Sequence, residues 1–210
     1  MDKQIIIPSL KLKKIQIELI GLSPYISHAW SDKAKKQMRD KQMGKSKQGK
    51  HDIKNPEGDF VESLYWIEGK PEVEPTPKNI AKFIENGRFG IRSVAFKSSF
   101  VRAATDVGQK MTDMRRLLHV SGELTEIIGK PEMREDMVTV GMKAADLRYR
   151  GYFNDWKVLI EIEYNSALIN EENILNLINT AGYGVGVGDW RPEKNGQYGR
   201  FKIGENVTFT

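Results

Sequence analysis

Apolar and polar residues alternate most regularly in two segments, and both are predicted to be β-strands. In residues 13–22 the apolar positions run from Ile15 to Leu19 at every second residue, and residues 156–164 repeat this pattern from Val158 to Tyr164. A period of two is typical of a strand that buries one face. We therefore expect one such strand near the start of the chain and another in its last third.

Two other segments have the three- and four-residue spacing of a helix that buries one side. Serine and asparagine favour helix starts, and glycine favours helix ends. In the first segment Ser93 is the expected N-cap and Gly108 the expected C-cap, around the apolar positions Phe96, Phe100, Ala103, Ala104 and Val107. In the second, Asn170 is the expected N-cap and Gly182 the expected end, around Ile174, Leu175, Leu177, Ile178 and Ala181.

The remaining segments have weaker patterns. Ser31 and Asp32 predict the start of a polar helix that runs to about Met43, because serine caps a helix and an acid favours its first turn. We expect a short strand or helix at 60–67, short strands at 115–124 and 137–140, and a last strand or hairpin at 200–203 and 206–209. Loops or connectors are expected at 44–58, at 144–153 and at the proline-rich 69–79.

The order of these elements predicts an α+β fold. Strand, helix and strand follow one another around residues 15–124 and again around residues 156–203. Two such units in tandem give the ferredoxin-like β-α-β-β-α-β arrangement, an antiparallel sheet with both helices on one face. We expect one domain over residues 1–210, with residues 31–58 as a basic insertion after the first strand. A less specific α+β domain is the alternative.

Composition excludes several classes of protein. The 210 residues contain no cysteine, which excludes disulfides, thiolate catalysis and cysteine-ligated metals. No apolar run approaches the ~20 residues of a membrane span. The N-terminal MDKQIIIPSLKLKK has too short an apolar stretch for a signal peptide. The expected location is therefore cytoplasmic, without membrane contact.

The net charge of +5 is concentrated in one segment. Residues 33–54 hold eight lysines and one arginine against two aspartates, so the rest of the chain is slightly acidic. We call residues 31–58 the basic arm. A local excess of positive charge is typical of proteins that bind polyanions. A solvated, lysine-rich loop without a partner is the alternative.

Residues 181–201, AGYGVGVGDWRPEKNGQYGRF, carry six glycines, and we call them the glycine loop. No Gly-Lys-Ser/Thr follows the glycines, and the run comes after a predicted helix, which argues against a Walker A loop and a dinucleotide fingerprint. Exposed amides there could still hold phosphates, beside an aromatic ring for stacking. A hairpin turn packed on the body, with Trp190 buried, is an equal alternative.

Three further groups could carry chemistry. Residues 147–152, LRYRGY, have the composition of a loop that contacts phosphates and bases, and a solvated hairpin is the alternative. His28 is the single candidate for a general acid or base, although a structural histidine is favoured. Glu132, Glu135 and Asp136 could bind Mg²⁺, but pairing with Arg148 and Arg150 in a surface network or a subunit contact is favoured. No metal or cofactor is expected.

Two motifs resemble those of the RAMP superfamily, the ferredoxin-like RNA-binding proteins of CRISPR effector complexes. One is the helix, glycine loop and final strand at the C-terminus. The other is FGIRSVAFKSSFVRAA (89–104), in which Ile91, Ser93, Lys97 and Arg102 are the matching positions. The chain also resembles short uncharacterised phage and prophage proteins in SPYISHAW, EMRED and GVGDWRPEK. The RAMP resemblance implies binding along a nucleic-acid backbone by several subunits side by side.

We therefore expect a non-enzymatic protein that binds single-stranded RNA or DNA, as a homo-oligomer in a phage or CRISPR-like context. A RAMP-type endoribonuclease working through His28 is one alternative, and a phage protein-interaction module that mimics or inhibits a host complex is another. The expected nucleic-acid-binding residues are Lys33, Lys35, Lys36, Arg39, Lys41, Lys45, Lys47, Lys50, Lys97, Arg102, Arg148, Tyr149, Arg150, Gly184, Gly186, Gly188, Trp190, Arg191, Lys194 and Arg200.

Overall fold

The structure, a computed structural model, describes residues 9–44, 54–140 and 144–209. The strands are β1 (Leu12–Gly21), β2 (Tyr25–Ser27), β3 (Tyr65–Glu68), β4 (Arg88–Arg92), β5 (Leu118–Val120), β6 (Leu124–Ile128), β7 (Glu132–Val140), β8 (Ala144–Phe153), β9 (Lys157–Asn165) and β10 (Phe201–Phe209). The helices are α1 (Asp32–Gln42), α2 (Pro56–Glu62), α3 (Ile80–Asn86), α4 (Ser93–Ala103), α5 (Met111–Leu117) and α6 (Glu171–Gly184). Within these ranges, no helix has the length and apolar character needed to cross a bilayer.

The larger of two antiparallel sheets has β1 and β9 at its centre. Its strand order is β10-β1-β9-β6-β4-β3, and β5 also pairs with β9. Ile15 lies opposite Ile162 and Ile17 opposite Ile160, so the buried side chains of both strands line the same face. This burial confirms the two strands predicted from alternation, and the antiparallel pairing confirms the expected α+β class.

Helices α4 and α6 pack together on the buried face of this sheet, at strand β10. The ring of Phe201 lies 6.0 Å from that of Phe96 and 6.4 Å from that of Phe100, both in α4. Gly182 in α6 lies against the backbone of Phe201, and a Cβ at Gly182 would come within 2.0 Å of the Phe201 carbonyl oxygen. The absence of a side chain at Gly182 therefore lets α6 approach β10 closely.

The smaller sheet has three strands in the order β2-β8-β7. Helix α2 and the residues after it pack on β8, where a Cβ at Gly151 would meet the side chain of Leu64 at 2.2 Å. The buried ring of Phe153 lies 5.8 Å from Tyr25 and 5.9 Å from Phe89, so the core of the smaller sheet continues into that of the larger one.

The structure corrects five local predictions. The segment 144–153 was expected to connect strands, yet it is strand β8. Helix α6 ends at Gly184 instead of Gly182. Ser93 is the first residue of α4 and does not cap it, because its hydroxyl pairs with that of Thr125 at 2.8 Å. The expected loop 44–58 contains the start of α2, and 115–124 contains the end of α5.

Candidate nucleic-acid interface

The described part of the basic arm is mainly helix α1, which carries its positive charge into solvent. The hydroxyl of Ser31 accepts the N–H of Ala34 at 3.1 Å, so the predicted N-cap is confirmed. The helix buries none of its residues. Five of the expected binding residues are exposed on it, namely Lys33, Lys35, Lys36, Arg39 and Lys41. Three others, Lys45, Lys47 and Lys50, lie outside the described residues.

Ionic contacts tether the N-terminal end of α1 to the protein body. The backbone N–H of Asp32 donates to Glu62 Oε2 at 3.0 Å. Lys70 Nζ lies 3.2 Å from Asp32 Oδ2 and 2.9 Å from Glu62 Oε1. Hydrogen bonds from Lys35 and Lys70 lower the pKa of Asp32, so its carboxylate stays charged and holds both lysines. The first turn of α1 is therefore positioned without hydrophobic burial.

A cavity of about 690 Å³ lies between α1 and the neighbouring ends of β3, β4 and β6. Its volume is within the ~300–1,000 Å³ range of small-ligand sites. Three aromatic and three basic side chains are among those that line it, namely Trp30, Tyr65, Trp66, Lys35, Lys70 and Arg92. We call this cavity the aromatic cleft. Rings and cations in one concave surface are the combination that binds bases and phosphates.

The rings of the aromatic cleft differ in how firmly they are held. Trp66 Nε1 donates to the carbonyl of Val61 at 2.9 Å, and its ring lies 4.7 Å from that of Phe89. Trp66 is therefore a rigid wall. Trp30 is 57% exposed, although tryptophan is a residue type that proteins usually bury in large part. An exposed ring at the cleft has a free face for stacking.

Tyr65 joins the aromatic cleft to His28. Burial raises the pKa of Tyr65, while the nearby charges of Arg92 and Lys35 oppose that rise. The Tyr65 hydroxyl donates to the His28 carbonyl at 3.4 Å. The phenol therefore stays protonated at neutral pH and lies close to cations from both walls of the cleft.

His28 is paired with an acid of the glycine loop. Its Nδ1 lies 3.2 Å from Asp189 Oδ2. The hydrogen bond from His28 and the charge of Arg150 lower the pKa of Asp189, against an opposing effect of burial. The imidazole is part-exposed and comes two residues before Trp30. The carboxylate orients the imidazole, an arrangement that suits both a structural histidine and a general base.

Arg150 and Asp136 form the buried part of a charge cluster with Arg134, Asp189 and His28. Arg150 Nη1 lies 3.5 Å from Asp136 Oδ2 and 3.2 Å from Asp189 Oδ2, and Arg134 Nε lies 2.8 Å from Asp136 Oδ1. Within the described residues, Arg150 Nε and Nη1 and Asp136 Oδ2 make no hydrogen bond, so the Arg150 contacts are coulombic. Arg134 also lies 4.9 Å above the Tyr198 ring. The cluster therefore ties the glycine loop to the smaller sheet.

This cluster accounts for part of the predicted acidic group. The favoured interpretation is pairing of these acids with Arg148 and Arg150 at the surface. Asp136 does pair with Arg150, but the pair is buried, its second partner is Arg134, and Arg148 pairs with Asp146 instead. Tyr149 forms a hydrogen bond with Glu135 that raises the pKa of the phenol. In the described ranges, no group of three or more acids and histidines is arranged to hold a metal ion.

The glycine loop packs on the protein body. Gly186, Gly188 and Gly199 have positive φ angles of 71°, 80° and 65°. A Cβ would lie 2.5 Å from the Tyr25 ring at Gly188 and 1.7 Å from the Val187 carbonyl oxygen at Gly199. These glycines are needed for close approach of backbone to backbone. The packed alternative is therefore the better description of this segment.

The charged residues of the glycine loop are mostly held by neighbours. Arg191 donates to Glu193 Oε2 and to the Gly188 carbonyl, and Arg200 lies 4.9 Å above the Tyr183 ring. Lys194 is exposed. Trp190, expected to be buried in the packed alternative, is 41% exposed and has a strained φ of 54°. Gly184 is exposed at the end of α6.

The other expected binding residues are spread over separate surfaces. In strand β8, Arg148 and Arg150 point to one face and Tyr149 to the other, since side chains alternate along a strand. Arg148 pairs with Asp146 at 2.9 Å. On α4, Lys97 Nζ donates to His119 Nδ1 at 3.0 Å, and on the same helix Arg102 pairs with Glu193 at 3.2 Å.

The open face of the larger sheet carries alternating opposite charges. Lys14 pairs with Glu161 at 2.9 Å, and Lys157 lies 3.5 Å from Glu18. These pairs leave little net charge on the face. A polyanion gains little from a neutral surface, so this face is a weaker candidate than the basic helix α1.

The structure therefore brings together residues that sequence reasoning did not connect. Lys35 was expected to bind nucleic acid and lines the aromatic cleft. The sequence did not predict the other main residues of the aromatic cleft, namely Trp30, Tyr65, Trp66, Lys70 and Arg92. Their signal in the sequence was the tryptophan of SPYISHAW and the adjacent pair Tyr65-Trp66, but only the fold places them beside each other.

No protein-family model matches the chain, and no curated protein matches it. Among solved structures, the crystal structure of Cmr6 from Pyrococcus furiosus is similar over 93% of this chain and 100% of that one, with 14% sequence identity and a TM-score of 0.38. Similarity at this level carries no argument about function.

Proposed function

We propose that this protein binds single-stranded nucleic acid, without catalysing a reaction, through the aromatic cleft and helix α1. The observation that carries the proposal is the shared location of three rings and three cations in one cavity beside a solvent-exposed basic helix. Rings that stack on bases contribute ~1–3 kcal/mol per base. Cations along α1 attract the phosphates on either side of the stacked base.

Helix α1 suits sequence-independent attraction to a backbone. It carries five basic residues and two acids, and Lys35 and Lys70 already neutralise one of those acids, Asp32. Because α1 buries no residue, its cations can reach phosphates without disturbing the core. Binding of this kind releases counterions, and its affinity falls as salt rises.

Fluorescence polarisation with labelled single-stranded RNA and DNA tests the proposal. We expect Trp30→Ala to weaken binding about tenfold, in line with the ~1–3 kcal/mol of one stacking contact. Tyr183→Ala is the matched control, because this exposed ring lies over Arg200 in the glycine loop and away from the cleft. Unchanged affinity in Trp30→Ala, or no binding by wild type at low salt, would refute the proposal.

The salt dependence gives a second measurement on the same samples. Replacing Lys36 by glutamine is expected to reduce the slope of log affinity against log salt by about 0.7, the contribution of one phosphate contact on a single strand. Lys82→Gln, which removes a charge outside the basic arm, is expected to leave the slope unchanged.

The proposal includes a ferredoxin-like, RAMP-like core. The neighbouring strands β10, β1, β9 and β5 support this part of the proposal, with α4 between β1 and β5 in the chain and α6 between β9 and β10. We also propose that several copies of the protein bind side by side along one nucleic-acid strand, as the RAMP-like motifs suggest. The context would be CRISPR-like, or that of a phage, as the resemblance to phage and prophage proteins suggests. Native mass spectrometry with oligonucleotides of increasing length tests the oligomer.

A RAMP-type endoribonuclease is the second candidate, and the contact between His28 and Asp189 favours it. A histidine oriented by a carboxylate can take a proton from a ribose hydroxyl. Incubation of labelled RNA with wild type and His28→Ala separates the candidates. Cleavage by wild type alone supports the nuclease, and intact RNA with both proteins supports the binder.

A further inference from the structure

We propose that the aromatic cleft selects an unpaired guanine, which Glu123 and Arg92 recognise by its edges while Trp30 stacks on its face. This inference rests on the proposed function, because it names the base that the cleft takes. Glu123 and Arg92 both line the cleft.

Backbone pairing places Arg92 and Glu123 side by side. Arg92 is the last residue of β4 and lies opposite Leu124, the first residue of β6. The N–H of Ser93 donates to the Glu123 carbonyl at 2.9 Å. The buried hydroxyl pair of Ser93 and Thr125 joins the first residue of α4 to β6, directly beside Arg92. The two charged side chains therefore start from the paired ends of two interior strands, which are rigid, as a precise binding site requires.

The other charges of the cleft are already engaged. Glu62 accepts from Lys70 and from the N–H of Asp32, and Lys35 pairs with Asp32. In the part of the chain that the structure describes, no ion pair involves Arg92 or Glu123, which are both exposed. These two groups are therefore the ones that remain available to a ligand.

A carboxylate and a guanidinium together match guanine better than the other bases. Guanine presents N1–H and N2–H side by side, and the two oxygens of an ionised carboxylate accept both. Its O6 and N7 accept two donors from a guanidinium. Adenine and cytosine each offer a carboxylate only an amino group, and uracil or thymine flanks its single N–H with two carbonyls. An unpaired base is required, because pairing occupies N1–H and N2–H.

The test compares the affinities of single-stranded oligonucleotides that differ only in the base at one central position. All other positions are free of guanine. We expect guanine to bind about tenfold tighter than adenine, as one good bidentate contact allows. Inosine, which lacks the N2 amino group, is expected to bind with intermediate affinity. Glu123→Gln is expected to remove the preference for guanine over inosine, because its amide has one accepting oxygen instead of two.

Glu205→Gln is the matched control for charge, since it removes one exposed carboxylate from β10 and leaves the cleft intact. It is expected to keep the full preference for guanine. Equal binding of the guanine, adenine and inosine oligonucleotides by wild type would overturn the guanine inference and leave the proposed function standing. Absence of binding to any of them would overturn both.

Discussion

Removal of Asp136 is expected to destabilise the protein strongly, because it breaks the buried part of the charge cluster. The Asp136 side chain is 5% exposed and lies between Arg134 Nε at 2.8 Å and Arg150 Nη1 at 3.5 Å. In Asp136→Ala, the Arg150 guanidinium, which is 8% exposed, would keep only Asp189 as an acidic partner. The side chain of Asp189 is 36% exposed, so water screens that remaining pair.

The size of the effect follows from the cost of an uncompensated buried charge. Breaking a buried ion pair costs ~3–5 kcal/mol, and the residual contact with Asp189 places Asp136→Ala near the lower end, at about 3 kcal/mol. For a chain of this length, each kcal/mol lowers the melting temperature by about 2–4 °C. The expected decrease is therefore roughly 6–12 °C.

Replacing both partners by apolar residues is expected to cost much less. Exchange of a buried ion pair for hydrophobic side chains of similar volume is often neutral. Asp136→Leu combined with Arg150→Met should therefore be more stable than Asp136→Leu alone, with a coupling of about 2 kcal/mol in the double-mutant cycle.

Urea unfolding, followed by tryptophan fluorescence and circular dichroism, measures these differences. Arg148→Met is the control from the same strand, since its 43% exposed side chain makes a surface pair with Asp146. It is expected to change stability by less than about 0.5 kcal/mol. A loss below about 1 kcal/mol in Asp136→Ala, or additive losses in the double variant, would contradict the reasoning.

Four further variants test other parts of the structure. Gly199→Ala should destabilise the protein by more than about 2 kcal/mol in urea unfolding, because of its positive φ and the nearby Val187 carbonyl. In Gly184→Ala the new Cβ would contact only Asp106 Oδ2, at 3.8 Å, so this variant should stabilise the protein slightly. Folding lowers the pKa of Asp189, so this carboxylate contributes stability above its unfolded pKa of about 3.9. That contribution is lost as the pH falls through the folded pKa. In Asp189→Asn, the melting temperature should therefore fall less steeply as the pH is lowered. Ser31→Ala should speed hydrogen exchange of the α1 amides, because it removes the N-cap. It should leave the free energy of global unfolding unchanged, because the helix buries no residue. Exchange of the α1 amides at the wild-type rate would contradict this prediction.

The local pattern of apolar residues was sufficient to predict a strand or a helix wherever one face of that element is apolar. Ile15 and Ile17 in β1 and Ile174 and Ile178 in α6 are buried as their spacing predicted, since a period of two or of about four places apolar side chains on one side. Asn170 caps α6 through the N–H of Asn173, as its residue type predicted. Such features depend on neighbours in sequence.

Pattern failed where a buried position is polar. The basic and aromatic residues 144–153 predict a connection, yet they form strand β8. Arg150 is buried on the face of β8 opposite Gly151 and Phe153, and a buried arginine becomes acceptable only when Asp136 and Asp189 arrive from other segments. The glycine loop was ambiguous for a related reason. Glycine allows both an exposed phosphate cradle and close packing, and only the contact between Gly199 and the Val187 carbonyl decides between them.

The sequence by itself determined the α+β class, the two alternating strands, the main helices and the concentration of positive charge in residues 31–58. Each is a property of residues within a few turns or strand positions of one another. Only the tertiary structure decided that Trp30, Tyr65 and Arg92 share one cleft beside α1, and that Glu123 reaches the same place. These residues come from four separate segments, and their proximity arises from sheet pairing over long sequence separations, which no local periodicity encodes.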